Sequence, residues 1–173
     1  MSALIQVPED NYKYCPHCAK SLGIRVKEDK ERKYCSSCRW THYPVEGIAP
    51  CGIIIKNGNV LLVQRNREPF KGLWQLTSGF KDQGETIMEA LIRELKEELA
   101  IDLVDSRFLR EVVSYDDPRS GGVLVQFFYI ANHIGTPRNN EPEENSSISY
   151  WPLKNLPPMA WRSHLETLNM IIV

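Results

Sequence analysis

Three glutamates in the segment 79–101 could together bind a divalent cation. Glu94, Glu97 and Glu98, called the helix-face glutamates below, are spaced i, i+3 and i+4, which places them on one face of an α-helix. Like charges at these spacings repel each other, and a hard divalent cation would reverse that penalty. Oxygen-only ligands suit Mg²⁺ or Mn²⁺. The alternative interpretation is a solvated acidic face on an ordinary amphipathic helix.

The surrounding residues predict the helix that would carry these carboxylates. Thr86 can act as the N-cap, and Glu89, three residues later, completes a capping box. Apolar residues then recur at the spacing of one buried helical stripe: Met88, Leu91, Ile92, Leu95 and Leu99. The sequence therefore predicts a core-facing helix with the acidic cluster beside its apolar face.

The complete spacing of residues 79–101 resembles the Nudix box, GX5EX7REUXEEXGU, of hydrolases that cut nucleoside diphosphates linked to another moiety. Every fixed position matches except residue 100, where Ala100 replaces glycine. The glycine normally ends the helix in a left-handed conformation, which alanine adopts at a cost of roughly 1 kcal/mol. The substitution bears on how the helix ends more than on catalysis.

The resemblance implies roles for six residues of the motif: Ser78, Glu85, Arg93, Glu94, Glu97 and Glu98. The helix-face glutamates would bind catalytic Mg²⁺ or Mn²⁺, and the backbone carbonyl of Ser78 would add a ligand. Glu85 would support the site electrostatically. Arg93 would orient Glu85 and its neighbours through ion pairs.

The expected chemistry is attack of water on phosphorus in a pyrophosphate linkage. Glu98 or a loop carboxylate could accept the proton. Many relatives place a glutamate where this chain has Ser147, so a residue of the polar loop 135–147 must replace it. We expect Glu144, ahead of Glu141 and Glu143, and we expect the loop to fold over the site when substrate binds. Arg65, Lys81 and Tyr115 are the predicted substrate-binding residues.

A second metal site is predicted near the N-terminus. The sequences CPHC and CSSC, separated by sixteen residues, supply Cys15, Cys18, Cys35 and Cys38. Two such knuckles can close a tetrahedral structural zinc site, and the competing explanation is a pair of disulfides. Cys51 lies in an apolar run and is expected in the core.

The order of motifs predicts an α+β fold in two domains. We expect an N-terminal segment with a zinc ribbon at residues 1–46, and a Nudix α/β/α sandwich with a mixed sheet at 47–173. Strand-like runs at 48–55 and 60–64 flank Asn57-Gly58, a hairpin signal, and further strands are expected at 104–115, 123–133 and 148–153. Ser163 is predicted to cap a last helix.

Composition favours an enzyme that acts on small molecules in the cytoplasm. The chain has 173 residues and a net charge of −1, without the basic excess of a nucleic-acid-binding protein. The N-terminal residues lack the pattern of a secretory signal, and no apolar run is long enough to cross a membrane. Family resemblance also makes a homodimer a reasonable expectation.

The ribbon placed before a Nudix box is similar to the NADH pyrophosphatase branch of the family. That branch carries an SQPWPFPQS array, whereas this chain has SYDDPR at residues 114–119. This departure argues against NADH as the dedicated substrate, and the resemblance implies a substrate of the ADP-ribose or NADH-like class. The alternatives are FAD or NAD-capped RNA as a larger substrate, and a non-catalytic module that binds a ligand or RNA.

Overall fold

The structure, a computed structural model, describes residues 12–27, 29–43, 46–115 and 123–172. Contacts between α-carbons divide the chain into two compact units with the boundary between Glu46 and Gly47. Within the described residues, neither α-helix has the length and hydropathy that a membrane span requires. The segment 116–122, which includes most of the predicted departure from the NADH pyrophosphatase array, lies outside the described residues.

The N-terminal unit contains one β-hairpin and two cysteine knuckles. Strands β1 (Gly23–Lys27) and β2 (Lys30–Tyr34) pair antiparallel. In the knuckles, Ala19 donates its N–H to the carbonyl of Cys15, and Arg39 donates to that of Cys35. Ala19 and Arg39 both adopt positive φ, so each knuckle turns tightly enough to bring its two thiols together.

Residues 46–115 and 123–172 of the C-terminal unit form eight strands and two helices: β3 (Gly47–Ile53), β4 (Ile55–Lys56), β5 (Asn59–Arg65), β6 (Trp74–Gln75), β7 (Thr77–Ser78), α1 (Ile87–Leu99), β8 (Asp102–Ser114), β9 (Leu124–Ile134), β10 (Asn145–Pro152) and α2 (Arg162–Ile171). One sheet has the order β7-β3-β9-β8. The other has the order β10-β5-β4, with β6 also on β5. Strands β3 and β9 are parallel and their other partners are antiparallel, which confirms the predicted mixed pairing.

The core lies in two layers on either side of β5. Alternate side chains of a strand point to opposite faces; accordingly Leu61 and Val63 pack in a cluster with Leu91, Leu95 and Leu99 of α1. Val60 and Leu62 pack in a second cluster with Leu168 of α2 and with the fully buried Cys51. The sheets are thus sandwiched between the two helices, as the α+β prediction requires.

Several local predictions are confirmed and three are wrong. Asn57 and Gly58 form the predicted hairpin turn, and both have positive φ. Strand β10 begins three residues earlier than predicted, at Asn145, so the polar loop is shorter. Ser163 lies inside α2, whose N-cap is Trp161 without a side-chain cap. Ile92 is 45% exposed because the buried stripe of α1 is narrower than the sequence pattern suggests.

Candidate active site

Helix α1 begins and ends as the sequence indicates. Thr86 accepts from the Glu89 backbone N–H at 3.1 Å, and the Glu89 carboxylate accepts from the Thr86 N–H at 2.7 Å. At the other end Ala100 adopts the left-handed conformation, with φ 55° and ψ 35°. The helix therefore ends at the usual place, and alanine bears the conformational cost that the family's glycine avoids.

Arg93 connects the glutamates of the motif to the preceding loop. Its guanidinium contacts Glu85 at 2.7 Å, Glu94 at 2.6 Å and Glu97 at 2.9 Å, and it donates to the Phe80 carbonyl at 3.0 Å. The hydrogen bond from Arg93 lowers the pKa of Glu85 to about 2. Glu85 is therefore an ionised partner that fixes the orientation of the arginine, in the arrangement that the family resemblance implies.

Glu94 and Glu98 are the two buried members of the helix-face glutamates. They are 9% and 3% exposed, whereas Glu97 is exposed. Burial raises the pKa of Glu94 in spite of the adjacent Arg93. Burial first, and then the charge of Glu94, raise the pKa of Glu98 well above its ordinary value. Oxygen Oε2 of Glu98 is buried without a hydrogen-bond partner, and such an uncompensated carboxylate is costly unless a cation neutralises it.

Two loop carboxylates join Glu98. Oxygen atoms of Glu98, Glu141 and Glu144 lie within 4.8 Å of one another. Glu144 also forms an ion pair with Arg67. The preferred Glu144 is therefore placed beside the acidic helix, but Glu141 is placed there as well, while Glu143 is exposed. The geometry therefore gives no reason to prefer Glu144 over Glu141 as the carboxylate that replaces the glutamate missing at Ser147.

The polar loop is already docked on the end of α1. Arg138 and Asn140 donate backbone N–H groups to the carbonyls of Leu99 and Glu98, at 3.0 and 3.1 Å, and the Asn140 side chain donates to the Glu97 carbonyl at 2.9 Å. These bonds satisfy carbonyls that a helix end leaves without partners. The loop carboxylates thus lie at the site without bound substrate, so substrate-induced closure of the loop is not required to bring them there.

The acidic cluster opens into a cavity of about 230 Å³. Its lining comprises five glutamates, three arginines, two glutamines, and small, backbone or apolar groups: Glu94, Glu97, Glu98, Glu141, Glu144, Arg65, Arg67, Arg93, Gln75, Gln126, Ser78, Gly79, Ala49, Phe80, Leu124 and Trp161. Negative charge therefore lies along the helix wall, while aromatic and amide side chains supply a second wall.

Of the three predicted substrate-binding residues, one lines the cavity. Arg65 is there but is only 3% exposed; it donates to the carbonyl of Pro69 at 2.7 Å and to Gln75 at 2.9 Å. These contacts favour a positioning role over direct substrate contact. Lys81 and Tyr115 are not among the described residues that line the cavity, and their assignment as substrate-binding residues stays a prediction.

Sequence reasoning missed the apolar wall, where Trp161 lies beside Gln75. The indole Nε1 donates to Gln75 Oε1 at 2.7 Å, Phe70 packs edge-on against the indole at 5.0 Å, and the Arg65 guanidinium lies 5.3 Å from the indole ring. The only sequence signal was an aromatic residue directly before a helix, which is equally typical of core packing.

Gln126 was also missed, and a buried histidine fixes its position. His164 Nδ1 accepts from the Leu76 backbone N–H at 3.2 Å, so a neutral ring carries its proton on Nε2. That atom lies 3.1 Å from Gln126 Nε2, a contact between two donors unless the nitrogen and oxygen of the Gln126 amide are exchanged. Because a ring N–H needs an acceptor, the amide oxygen of Gln126 belongs on the His164 side, and its NH₂ group then faces away. Burial, and then the charge of Arg65, lower the pKa of His164 to about 3.

In the N-terminal unit, the four predicted cysteines form one cluster. Their sulfur atoms all lie within 4.8 Å of one another, and all five cysteines of the chain are free thiols. Hydrogen bonding from the Cys38 backbone lowers the pKa of Cys35 to about 6, whereas hydrogen bonds with neighbouring thiols raise the pKa values of Cys18 and Cys38. One thiol is thus favoured as a thiolate, and a bound metal would displace the protons of the others. Four converging thiols in a unit with little core are the donor set of a structural zinc site.

Comparison with known proteins identifies the class to which this site belongs. The NUDIX domain family matches residues 48–170, and the zinc-ribbon family described as Nudix N-terminal matches residues 13–44. The first match covers more than half of the chain. The chain belongs to the Nudix family, and the resemblance predicted from residues 79–101 is confirmed.

Similar curated proteins include an ADP-ribose pyrophosphatase and several NAD-capped RNA hydrolases. An ADP-ribose pyrophosphatase of Methanocaldococcus jannaschii is 33% identical over 114 residues, which is 66% of each chain. A NAD-capped RNA hydrolase NudC of Vibrio atlanticus is 26% identical over 149 residues, 86% of this chain and 52% of the relative. The chain spans about half the length of the NudC proteins that it matches.

Solved structures agree on the fold. A MutT NUDIX hydrolase of Burkholderia pseudomallei superposes with a TM-score of 0.67 at 29% identity, over 72% of this chain and 97% of the other. A NUDIX hydrolase of Nitrosomonas europaea gives a TM-score of 0.66 at 22% identity, over 91% and 88%. These likenesses confirm the predicted Nudix sandwich.

Proposed function

We propose that the protein is a metal-dependent hydrolase that cleaves the pyrophosphate linkage of ADP-ribose or of an NADH-like dinucleotide. The observation that carries the proposal is the buried Glu98, whose Oε2 lacks a partner and whose carboxylate lies within 4.8 Å of those of Glu141 and Glu144. Such a cluster is costly unless cations fill it. Arginines beside it supply positive charge for a phosphate-bearing substrate.

The donor set fits Mg²⁺ or Mn²⁺, because every candidate ligand is an oxygen. We propose the helix-face glutamates, the Ser78 carbonyl and the loop carboxylate of Glu141 as the residues that hold the ions. When bound, the ions would lower the pKa of a coordinated water and neutralise charge on the phosphate oxygens. Arg93 would keep the helix-face carboxylates in position through the ion pairs described above.

Proton removal from the attacking water is proposed for Glu144, with Glu98 as the alternative. Arg67 fixes Glu144 from one side, and the backbone of Asn66 donates to its carbonyl at 2.7 Å. A general base must be held within hydrogen-bond reach of the water. Two contacts from the β5–β6 connection give Glu144 that constraint, whereas Glu98 is proposed above as a metal ligand.

The two walls of the cavity indicate how the substrate would lie. The diphosphate would lie against the acidic wall with its metal ions, and the nucleoside would extend towards Trp161, Gln75 and Gln126. An aromatic face with amide donors and acceptors is typical of sites that bind a base or sugar. With its oxygen on the His164 side, the Gln126 NH₂ group would take the place of a buried amide atom that has no partner in the protein, and an acceptor on the substrate could satisfy it.

The zinc is proposed to be structural, because four thiolates close its coordination shell and leave no open position for chemistry. Reduced thiols at this site would also suit a cytoplasmic protein. A homodimer remains an expectation from the family resemblance.

The test is a substrate panel with matched variants. Purified protein with Mg²⁺ or Mn²⁺ should hydrolyse ADP-ribose or NADH faster than FAD, diadenosine polyphosphates or coenzyme A. Glu98→Gln and Glu97→Gln should lower kcat by at least about a hundredfold, while Glu166→Gln, a surface change on α2, should leave it unchanged. Wild-type rates in both site variants at saturating Mg²⁺ would show that this helix is not the metal site.

NAD-capped RNA is the second candidate substrate, because several relatives carry the name NAD-capped RNA hydrolase. A larger value of kcat/KM for capped RNA than for free NADH, measured in the same buffer, would favour it over the small dinucleotide. Binding of ligand or RNA with no hydrolysis of any substrate in the panel would instead identify a non-catalytic module.

A further inference from the structure

The net charge of the chain is near neutral, but the zinc ribbon is strongly positive and the remainder of the chain is negative. Residues 12–43 contain eight Lys or Arg and three Asp or Glu, a net charge of +5, whereas the whole chain carries −1. The remainder therefore carries −6. Four thiolates with one Zn²⁺ would contribute −2 to the ribbon and leave it at +3. The ribbon therefore has the positive charge of a nucleic-acid-binding unit, although the whole chain does not.

The positive charge is concentrated on one face of the β1–β2 hairpin. Arg25 lies directly opposite Arg32, and Lys27 lies opposite Lys30. Facing residues of an antiparallel pair share one side of the sheet, and alternate residues along each strand do so too. These four cations, called the basic face below, therefore project from a single side of the hairpin.

Two tyrosines accompany the basic face. The Arg25 guanidinium lies 3.9 Å from the ring centre of Tyr34, and that of Arg32 lies 4.5 Å from the ring centre of Tyr43. Lys27 lies 5.2 Å from the same Tyr43 ring and donates to its hydroxyl group. Tyr43 is 44% exposed, so the ring also presents surface to solvent.

This arrangement is not the one that stability alone would select. Like charges directly opposite each other on paired strands are destabilising, and here two such pairs lie on the same side of the hairpin, separated along the ladder by the Val26–Glu31 pair. One cation for each tyrosine would supply the cation–π attraction, yet Tyr43 has two. In addition, Nε of Arg25 is buried without a hydrogen-bond partner. A bound anion would reverse the repulsion, as a cation would at the acidic cluster.

We propose that the basic face is a docking surface for single-stranded RNA. Cations spaced along two short strands can follow a phosphate backbone, and an exposed tyrosine among them can stack an unpaired base. Bases in a duplex are stacked on each other and cannot lie on such a ring. The proposal concerns binding alone and does not depend on hydrolysis by the other unit.

The test uses the full zinc-loaded chain and a fluorescein-labelled 12-nucleotide RNA with a 5′-hydroxyl end, which offers no pyrophosphate. Fluorescence anisotropy should show binding that weakens with salt. About four phosphate contacts at about 0.7 counterions each predict a log–log slope near −3. The double variant Lys27→Gln/Lys30→Gln should reduce the magnitude of the slope by about 1.4 and weaken binding by at least about tenfold at low salt.

Lys20→Gln/Arg39→Gln is the matched control, because it removes the same charge from exposed ribbon positions outside the hairpin. It should bind RNA within about threefold of wild type. Tyr43→Ala should weaken binding, and Tyr43→Phe should restore it, since stacking requires the ring and not the hydroxyl. Zinc content and hydrolysis of small substrates should match wild type in every variant.

The proposal is overturned by any of three results. These are no RNA binding at 50 mM salt, equal losses in the hairpin variant and its control, or tighter binding of duplex RNA or of single-stranded DNA of the same sequence. Retention of an acidic protein on the basic face with no RNA binding would identify a protein partner instead. Loss of hydrolysis with RNA binding intact would count only against the proposed enzymatic function.

Discussion

The Glu94 carboxylate lies against the α-carbon of Gly79, so α1 and the loop before it approach closely only because residue 79 has no side chain. A Cβ built on Gly79 would lie 2.1 Å from Oε1 of Glu94. Gly79 does not have the positive φ that favours glycine, so the requirement is for space. The first glycine of the motif is thereby explained by the position of a proposed metal ligand.

Gly79→Ala should therefore displace the Glu94 carboxylate while preserving the fold. We expect kcat to fall by about a hundredfold or more, because a ligand misplaced by about 1 Å is enough for such a loss, and we expect weaker Mn²⁺ binding. Steady-state kinetics and Mn²⁺ titration by electron paramagnetic resonance would measure both effects.

Gly23→Ala is the control for Gly79→Ala. Its added Cβ would meet only the Tyr34 carbonyl at 3.9 Å, an ordinary contact, so activity should be unchanged. Wild-type kcat and Mn²⁺ affinity in Gly79→Ala would mean that the Glu94 side chain can move without loss of function. The close approach of Glu94 to Gly79 would then not be required for catalysis or metal binding.

The sequence predicted the elements whose signals are local. The capping box at Thr86, the turn at Asn57-Gly58 and the cysteine cluster each depend on residues a few positions apart, and each is present in the structure. The left-handed Ala100 shows that spacing within the motif outweighed the local preference for glycine. The Nudix sandwich itself was predicted from the family resemblance.

The parts that could not be predicted depend on contacts between distant residues. Trp161 reaches the cavity because α2 packs against β6, and Gln126 is fixed by His164, which is 38 residues away in the sequence. Arg65 was expected to contact substrate because arginine suits phosphate, but the structure places its guanidinium between Gln75 and backbone carbonyls. Periodicity and motif spacing contain no information about such pairings.

Glu144→Gln should lower kcat by roughly a hundredfold, the usual contribution of a positioned general base. The neutral amide cannot accept the proton and also weakens the ion pair with Arg67. If this role is correct, KM should change little, and zinc content and melting temperature should stay at wild-type values. Pre-steady-state kinetics on the best substrate of the panel would separate the chemical step from product release.

Two neighbouring variants refine this prediction. Glu143→Gln, at an exposed position of the same loop, should retain wild-type turnover. Glu141→Gln should lower activity and weaken metal binding, because its carboxylate belongs to the cluster with Glu98. Full turnover in all three variants would make the loop a solvated connection and leave Glu98 as the leading candidate for the base.

The purified protein should contain one zinc ion for each chain, since the four clustered thiols form a complete shell. Cys38→Ser should lower zinc content and the thermal stability of the ribbon, whereas Cys51→Ala, in the core of the other unit, should retain the metal. Inductively coupled plasma mass spectrometry would measure the zinc. Metal-free folded protein, or disulfides between these cysteines after reducing purification, would contradict the assignment.

The buried His164 should make the stability of the C-terminal unit depend on pH. Burial holds the pKa of His164 at about 3, below its ordinary value of 6.5, so the unfolded chain binds a proton more readily than the folded one below pH 6.5. The stabilisation is therefore complete above pH 6.5 and is lost as the pH falls from 6.5 towards 3. At pH 5 this group alone should cost about 2 kcal/mol of unfolding free energy.

His164→Asn removes the titration while keeping an oxygen that can accept from the Leu76 N–H. The variant should be less stable than wild type at pH 7.5 because the imidazole contacts are lost, but the gap should narrow by about 2 kcal/mol at pH 5. Urea unfolding at the two pH values would measure this, and the gap should stay constant between pH 7.5 and 8.5. A gap of the same size at pH 5 and pH 7.5 would show that His164 accepts its proton as easily in the folded protein as in the unfolded chain.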